Sequence, residues 1–279
     1  MLSVTPEELT VPKLHQLLLG SVGPRPICFA STIDAQGNRN LAPFSFFNVF
    51  SANPPILVFS PARSGRTNET KHTHDNVKEV PQVVINVVTY EMVHQMSLTS
   101  SPYAKGVDEF VKSGFTPIDS DLVKPARVKE SPIQLECEVQ QVVELGQNGG
   151  AGNLVICKVL KMHIDESKLN EHGQIDQTKI DLVARMGGDW YCRANGDALF
   201  ELVKPLTNCG IGVDALPEHI RLSHVLSGND LGRLGNVEVM PDADFVQAVK
   251  LEYTGGDVFQ TAKRLLSEGK SKEALALLW

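Results

Sequence analysis

The sequence predicts a mainly β protein, an antiparallel barrel with peripheral helices that is followed by a helical C-terminal extension. Three observations carry that prediction. From Arg25 to about Val88 the chain is a succession of short β-prone runs separated by turn residues. Residues 133–145 (IQLECEVQQVVEL) and 154–164 (LVICKVLKMHI) are long strand-like runs that flank a Gly-rich turn and suit the second half of a closed barrel. Beyond about Lys204 the apolar residues change to helical spacing. The expected division is therefore a barrel domain at 1–204 and a helical extension at 205–279.

Each element has a local cause. Residues 26–32 (PICFAST) form an apolar strand, and Asp34-Ala-Gln-Gly37-Asn turns the chain with Gly37 available for positive φ. Residues 40–52 (NLAPFSFFNVFSA) read as one aromatic, extended run, Asn53-Pro54-Pro55 as a turn, and 56–60 (ILVFS) as a buried strand. A polar stretch at 61–76 precedes the strand at 82–88. Residues 90–99 and 107–112 have the pattern of short helices, and in 133–145 the alternating Leu135, Cys137 and Val139 face away from acidic or amide neighbours. In the extension, 217–226, 243–251 and a pair within 256–279 broken at Gly269 read as helices, and the basic amphipathic end is expected to dock on its own domain or on a second subunit rather than on a membrane surface or another partner.

Composition bounds the function. The 279 residues carry 26 Lys and Arg against 33 Asp and Glu, a net charge of -7, so no general field attracts nucleic acid. No apolar run approaches the ~20 residues of a membrane helix, and the acidic start lacks the flanks of a signal peptide, so the expected location is cytoplasmic, with no membrane partner. The five cysteines (Cys28, Cys137, Cys157, Cys192, Cys209) are scattered without a C-x-x-C pair and read as reduced structural thiols.

The most informative window is 40–76. Against an acidic chain, residues 61–74 hold Arg63, Arg66 and Lys71 with one acid, Glu69, together with His72, His74 and four hydroxyls. Cations and hydroxyls in a loop between apolar strands suit a phosphate monoester, and Phe44, Phe46, Phe47 and Phe50 beside them suit a flat aromatic body. A solvated polar connection beside core phenylalanines accounts for the same residues. No metal site is expected. His72-x-His74 would share one side of an extended segment but has no further ligand at familiar spacing, and His163 reads as a surface strand residue. No nucleophile elbow and no acid–base pair stands out, so no catalytic side chain is assigned.

These residues also carry a resemblance. The succession VGPRPICFASTIDAQGNRNLAPFSFFNVFSANPPILVFSPA, KHTHDN, VVINVV, GVDEFVKSGFTPIDSDLV, SPIQLECEV and ARMGGDWYCRA resembles the flavin reductase-like, FMN-binding split-barrel family, over about residues 25–200. The resemblance implies a six-stranded antiparallel split barrel that binds FMN near a homodimer interface. The family's Lys-Asp-Thr-x-x-Asn phosphate-end element reads Lys71-His72-Thr73-His74-Asp75-Asn76 here, which matches at Lys71, Thr73 and Asn76 and replaces the acid with His72. By the same likeness Ala42, Pro43, Ser45, Phe46, Phe47 and Asn48 lie along the isoalloxazine. Ser60, Pro61 and Arg63 approach the ribityl and phosphate, and Arg185, Gly187 and Gly188, with Tyr191, lie near the flavin. The implied activity is NADH- or NADPH-dependent flavin reduction or flavin-mediated electron transfer, with a monooxygenase or another acceptor as partner. A flavin carrier or sensor without turnover is the alternative.

Overall fold

The computed structural model describes residues 1–279, which divide into two compact units, Met1–Phe200 and Glu201–Trp279. In the first unit, helix α1 (Val11–Ser21) leads into strands β1 (Cys28–Ile33), β2 (Arg39–Phe44), β3 (Phe47–Ala52) and β4 (Pro55–Phe59). Helix α2 (His72–Glu79) then precedes β5 (Gln82–Val87), helices α3 (Val93–Leu98) and α4 (Glu109–Ser113), and the two-residue strands β6 (Pro117–Ile118) and β7 (Arg127–Val128). The long hairpin β8 (Ile133–Glu144) and β9 (Asn153–Ile164) and the short hairpin β10 (Leu182–Arg185) and β11 (Tyr191–Ala194) complete it.

Seven strands form one antiparallel sheet in the order β2-β1-β5-β8-β9-β4-β3. The two edge strands, β2 and β3, are neighbours in sequence, separated only by Ser45 and Phe46. Three peptide steps span at most ~11 Å, so the sheet must curl until its opposite edges nearly meet. They meet without pairing, and the barrel stays open along this seam.

The structure thus corrects two expectations, six strands and a closed barrel. Both corrections have one cause. The extended run at 40–52 is broken at Ser45-Phe46, so it supplies two edge strands where periodicity showed one, and no ladder joins them.

Alternation places the core. Cys28, Ala30, Leu57, Phe59, Val83, Ile85, Leu135, Cys137, Val155 and Cys157 point to the concave side, two residues apart on each strand. The opposite face of β1 is also covered. Ile27, Phe29 and Leu41 pack with Met92, Met96, Phe110 and Phe115 from the segment carrying α3 and α4, which explains why β1 is buried nearly throughout.

The second unit is helical, with α5 (Glu218–Arg221), α6 (Gly228–Gly235), α7 (Ala243–Glu252), α8 (Val258–Ser267) and α9 (Ser271–Leu278). It has its own core of Leu216, Ile220, Leu234, Val249, Leu265, Leu266 and Leu275. No helix of the chain is long and apolar enough to cross a membrane.

Candidate functional site

The seam organises most of the residues singled out by sequence. On one side of it a cavity of about 420 Å³ is lined by Pro43, Phe44 and Ser45 at the end of β2, Met96, Ser97 and Ser100 from α3 and its C-terminal turn, Ile27, and Arg185, Asp189 and Tyr191 from the β10–β11 hairpin. Arg185 and Tyr191 are cross-strand partners, and the guanidinium lies 4.6 Å from the centre of the tyrosine ring. The hairpin is tied to the sheet by a pair of backbone hydrogen bonds between Arg25 and Arg185, each 2.9 Å. Arg25, buried, donates to the carbonyls of Leu19 at 2.6 Å, Met186 at 2.8 Å and Val22, so a guanidinium covers the C-terminal end of α1 where carbonyls lack intrahelical partners. Gly187 is closely packed here, because a Cβ would sit 3.0 Å from the Cα of Gly20 and force it to give way slightly. Gly188 is exposed with nothing near it and a φ of +58°.

Across the seam, Phe47 pairs with Phe59, and the Ser60 N–H donates to the Phe46 carbonyl at 2.9 Å. The Ser60 hydroxyl accepts from the Asn153 N–H at 3.0 Å, and the Asn153 amide donates to the Pro61 carbonyl at 2.9 Å, so the start of β9 fixes the end of β4. The loop that follows is self-braced. Arg63 donates to the Asn68 side chain at 3.0 Å and its carbonyl at 2.6 Å, and the Ser64 hydroxyl accepts the N–H groups of Arg66 and Thr67. The Arg63 guanidinium is thus committed to its own loop.

The Lys71–Asn76 element is not a loop. It forms the first turn and a half of α2, with Lys71 as N-cap. The helix turns the two histidines apart: residues two apart on a helix point to opposite sides, and His74 is buried while His72 is partly exposed. Thr73 and Asn76 face inward. The Thr73 hydroxyl donates to Asn40 Oδ1 at 2.7 Å, the Asn76 amide donates to the Thr32 hydroxyl at 3.1 Å, and Asn40 donates to Glu109 at 3.0 Å. Glu109 also accepts the Leu41 N–H at 3.0 Å. Burial pushes its carboxyl up, against the lowering effect of those donors and of His72. This network anchors α2 to β1 and β2 and leaves Lys71, exposed, at the helix's positive end.

The structure therefore gathers Pro43, Ser45 and Arg185 round one cavity, Phe46, Phe47, Ser60 and Pro61 at the seam, and Lys71, Thr73 and Asn76 on one helix turn. Ala42 pairs with Ala30 inside the sheet, and Asn48 is exposed on β3, its side chain accepting the neighbouring Val49 N–H at 2.8 Å. Met96, Ser97, Ser100 and Asp189 line the cavity although sequence gave no functional reason to select them. The signal available is spacing, since Ser100 follows Met96 by four residues and Ser97 by three.

His163 is a strand residue, as expected, but it is half-buried and engaged rather than free at the surface. Its side chain is 19% exposed and its Nε2 lies 2.6 Å from Glu136 Oε1, a carboxylate with no exposure. Outside the seam, a polar cavity of about 590 Å³ is lined by His163, Arg127, Gln134, Lys129 and Lys168 among others.

Comparison with known proteins decides the family. The flavin reductase like domain matches residues 20–179 of the chain. The chain belongs to the flavin reductase-like family. An uncharacterized protein of Aquifex aeolicus is 34% identical over 184 residues, which cover 66% of this chain and 91% of that protein. Among solved structures, nitrilotriacetate monooxygenase component B from Bacillus cereus aligns with a TM-score of 0.67 at 30% identity, over 73% of this chain and 98% of that one. The 2-nitrobenzoate 2-nitroreductase of Pseudomonas fluorescens aligns with a TM-score of 0.66 at 25% identity, over 76% of this chain and 100% of that one. For this flavin reductase-like chain, a seam-side cavity with an aromatic wall and a cationic helix start are the features on which a functional reading must rest.

Proposed function

We propose that the protein is an FMN-dependent oxidoreductase that takes hydride from NADH or NADPH and passes it to an acceptor, a monooxygenase partner among the possibilities. The observation that carries this reading is the cavity at the end of β2 in a chain of this family. The residues present fit an elongated aromatic phosphate. From Asn40, beside α2, to Ser45, at the cavity, β2 and its end span ~16 Å, with an anion-favouring helix start at one end and the wall of Pro43, Phe44 and Tyr191 at the other.

The roles follow from the donors left free. Lys71 and the first N–H groups of α2 would hold the phosphate, while Thr73 and Asn76, already engaged with Asn40 and Thr32, position that helix start. Arg63 and Ser60 shape the loop beside it. Ser45 and the backbone of residues 42–48 would face the ring, and Arg185 on Tyr191 would favour its electron-rich form by charge. FMN supplies the hydride chemistry when bound, so the chain needs only to bind, orient and tune it. The exposed edge strand β3 would be covered by a second copy, giving a homodimer.

An anaerobic absorption spectrum with added FMN tests the reading. Bound flavin that bleaches with NADH or NADPH is the expected outcome. Bound flavin that stays oxidised would leave a carrier or sensor, and no binding would overturn the proposal.

A further inference from the structure

Away from the seam, Asp121, Glu136 and His163 converge on the outer face of the β8–β9 hairpin. One ligand atom from each lies within 4.8 Å of the other two. Glu136 is the fixed member. Its carboxylate is wholly buried and accepts the N–H groups of Asp121 at 2.9 Å and Leu122 at 2.6 Å. Burial alone would raise its pKa, yet these donors, together with the hydrogen bond and charge of His163, hold it below the ordinary carboxylate range. A buried anion of this kind needs a positive partner. The strand register places Lys161 opposite Glu136 and His163 opposite Gln134, so the imidazole reaches Glu136 diagonally. Asp121, half-exposed on the segment crossing over β8, closes the third side and is held by the Lys161 ammonium.

We propose that these three side chains form a divalent-cation site, with zinc as the ion their chemistry suits best. Imidazole nitrogen and carboxylate oxygen are both ordinary Zn²⁺ ligands, and three protein ligands leave its fourth position to water. Tetrahedral ligands at ~2.1 Å stand ~3.4 Å apart. The His163–Glu136 contact of 2.6 Å therefore opens slightly, and Asp121 closes in.

The proton is accounted for. An imidazolium releases its Nε2 proton to solvent, and a neutral ring moves it to Nδ1, so in either case Nε2 is free to coordinate. The ion also takes the place of the Lys161 ammonium beside Asp121, and that flexible, half-exposed side chain swings into water. Two carboxylates and a doubly charged ion are neutral together, so the buried Glu136 keeps a compensating charge. The consequence is a staple that fastens the segment at 119–122 to two neighbouring strands.

Calorimetric titration of the full-length, chelator-dialysed protein with Zn²⁺ tests the site. One equivalent is expected to bind and to raise the thermal midpoint. His163→Ala and Asp121→Asn should each weaken binding by more than the ~10-fold typical of losing an outer partner. Lys161→Ala, which removes a competing cation, should tighten it ~2- to 5-fold, the worth of an exposed ion pair. Asp121→Asn also guards against a folding defect in the histidine variant. No saturable binding, or binding unchanged in both ligand variants, overturns the proposal, as does weaker binding in Lys161→Ala.

Discussion

Lys71 stands out among the seam residues because nothing in the chain occupies its charge. Thr73 and Asn76 belong to the same motif but spend their donors on Asn40 and Thr32. The two kinds of residue should therefore fail differently. Lys71→Ala should cost about 1.5–3 kcal/mol of FMN affinity, the worth of a charge-assisted hydrogen bond, with little loss of stability. Equilibrium dialysis or fluorescence quenching with FMN checks this, and unchanged affinity would remove Lys71 from the site. The thiols offer a second contrast at this scale. Burial and neighbouring groups push the Cys28 and Cys157 thiols well up, and burial with Glu136 nearby raises Cys137 to about 12. Since the thiolate is the nucleophile, iodoacetamide should modify exposed Cys209 in the native protein and leave these three intact until denaturant is added. Mass spectrometry of the labelled peptides reads the result.

Among the elements, β3 combines two liabilities. It pairs only with β4, and Val49 and Phe50 are 63% and 67% exposed on it. An open apolar edge invites another chain. Sedimentation should therefore give twice the 30.5 kDa chain mass for the protein and a monomer for Phe50→Asp. A monomeric wild type would end the homodimer reading. Legibility also varied by element. The strands were readable because β-prone runs alternate with Gly, Pro and Asn turns, and β8 and β9 kept their lengths nearly as read. Periodicity does not show where an extended run bends, so 40–52 reads as one continuous extended run. The Lys71–Asn76 turn looked like loop because its residues are polar, and only tertiary partners reveal that Thr73 and Asn76 are buried. Helix α6 carries little helical signal in its sequence because Gly228, Gly232 and Gly235 have low helix propensity. The cavity's composition was readable only in part, since α3 reaches it through a fold that local pattern does not encode.

The whole molecule carries several carboxylates held below their ordinary range by hydrogen bonds and cations, among them Asp34, Asp121, Glu136, Asp181 and Asp230. A lowered folded-state pKa gives stability that is complete above the unfolded value and is lost as pH falls through the folded one. With ordinary values near 3.9 for Asp and 4.3 for Glu, the denaturation midpoint should hold between pH 7 and ~5 and then fall steeply below ~4. Glu109 runs the other way. Its raised carboxyl favours the folded state when protonated, so its contribution weakens as pH rises above ~4.3. Urea titrations at stepped pH measure the sum, and a midpoint that rises on acidification would contradict the assignment.

The unpaired seam has a further consequence for the integrity of the chain. Every ladder of the seven-stranded sheet runs between strands other than β2 with β3, so the peptide bond at Ser45-Phe46 is a tether and not a rung. A protease nick at that bond would leave each strand with its hydrogen-bonded neighbours. What it would release is the relative position of Pro43 and Phe44 on one rim and Phe47 on the other. The barrel would outlive the cut, while Ser45, which lines the cavity at the end of β2, would lose the tether that holds it in place.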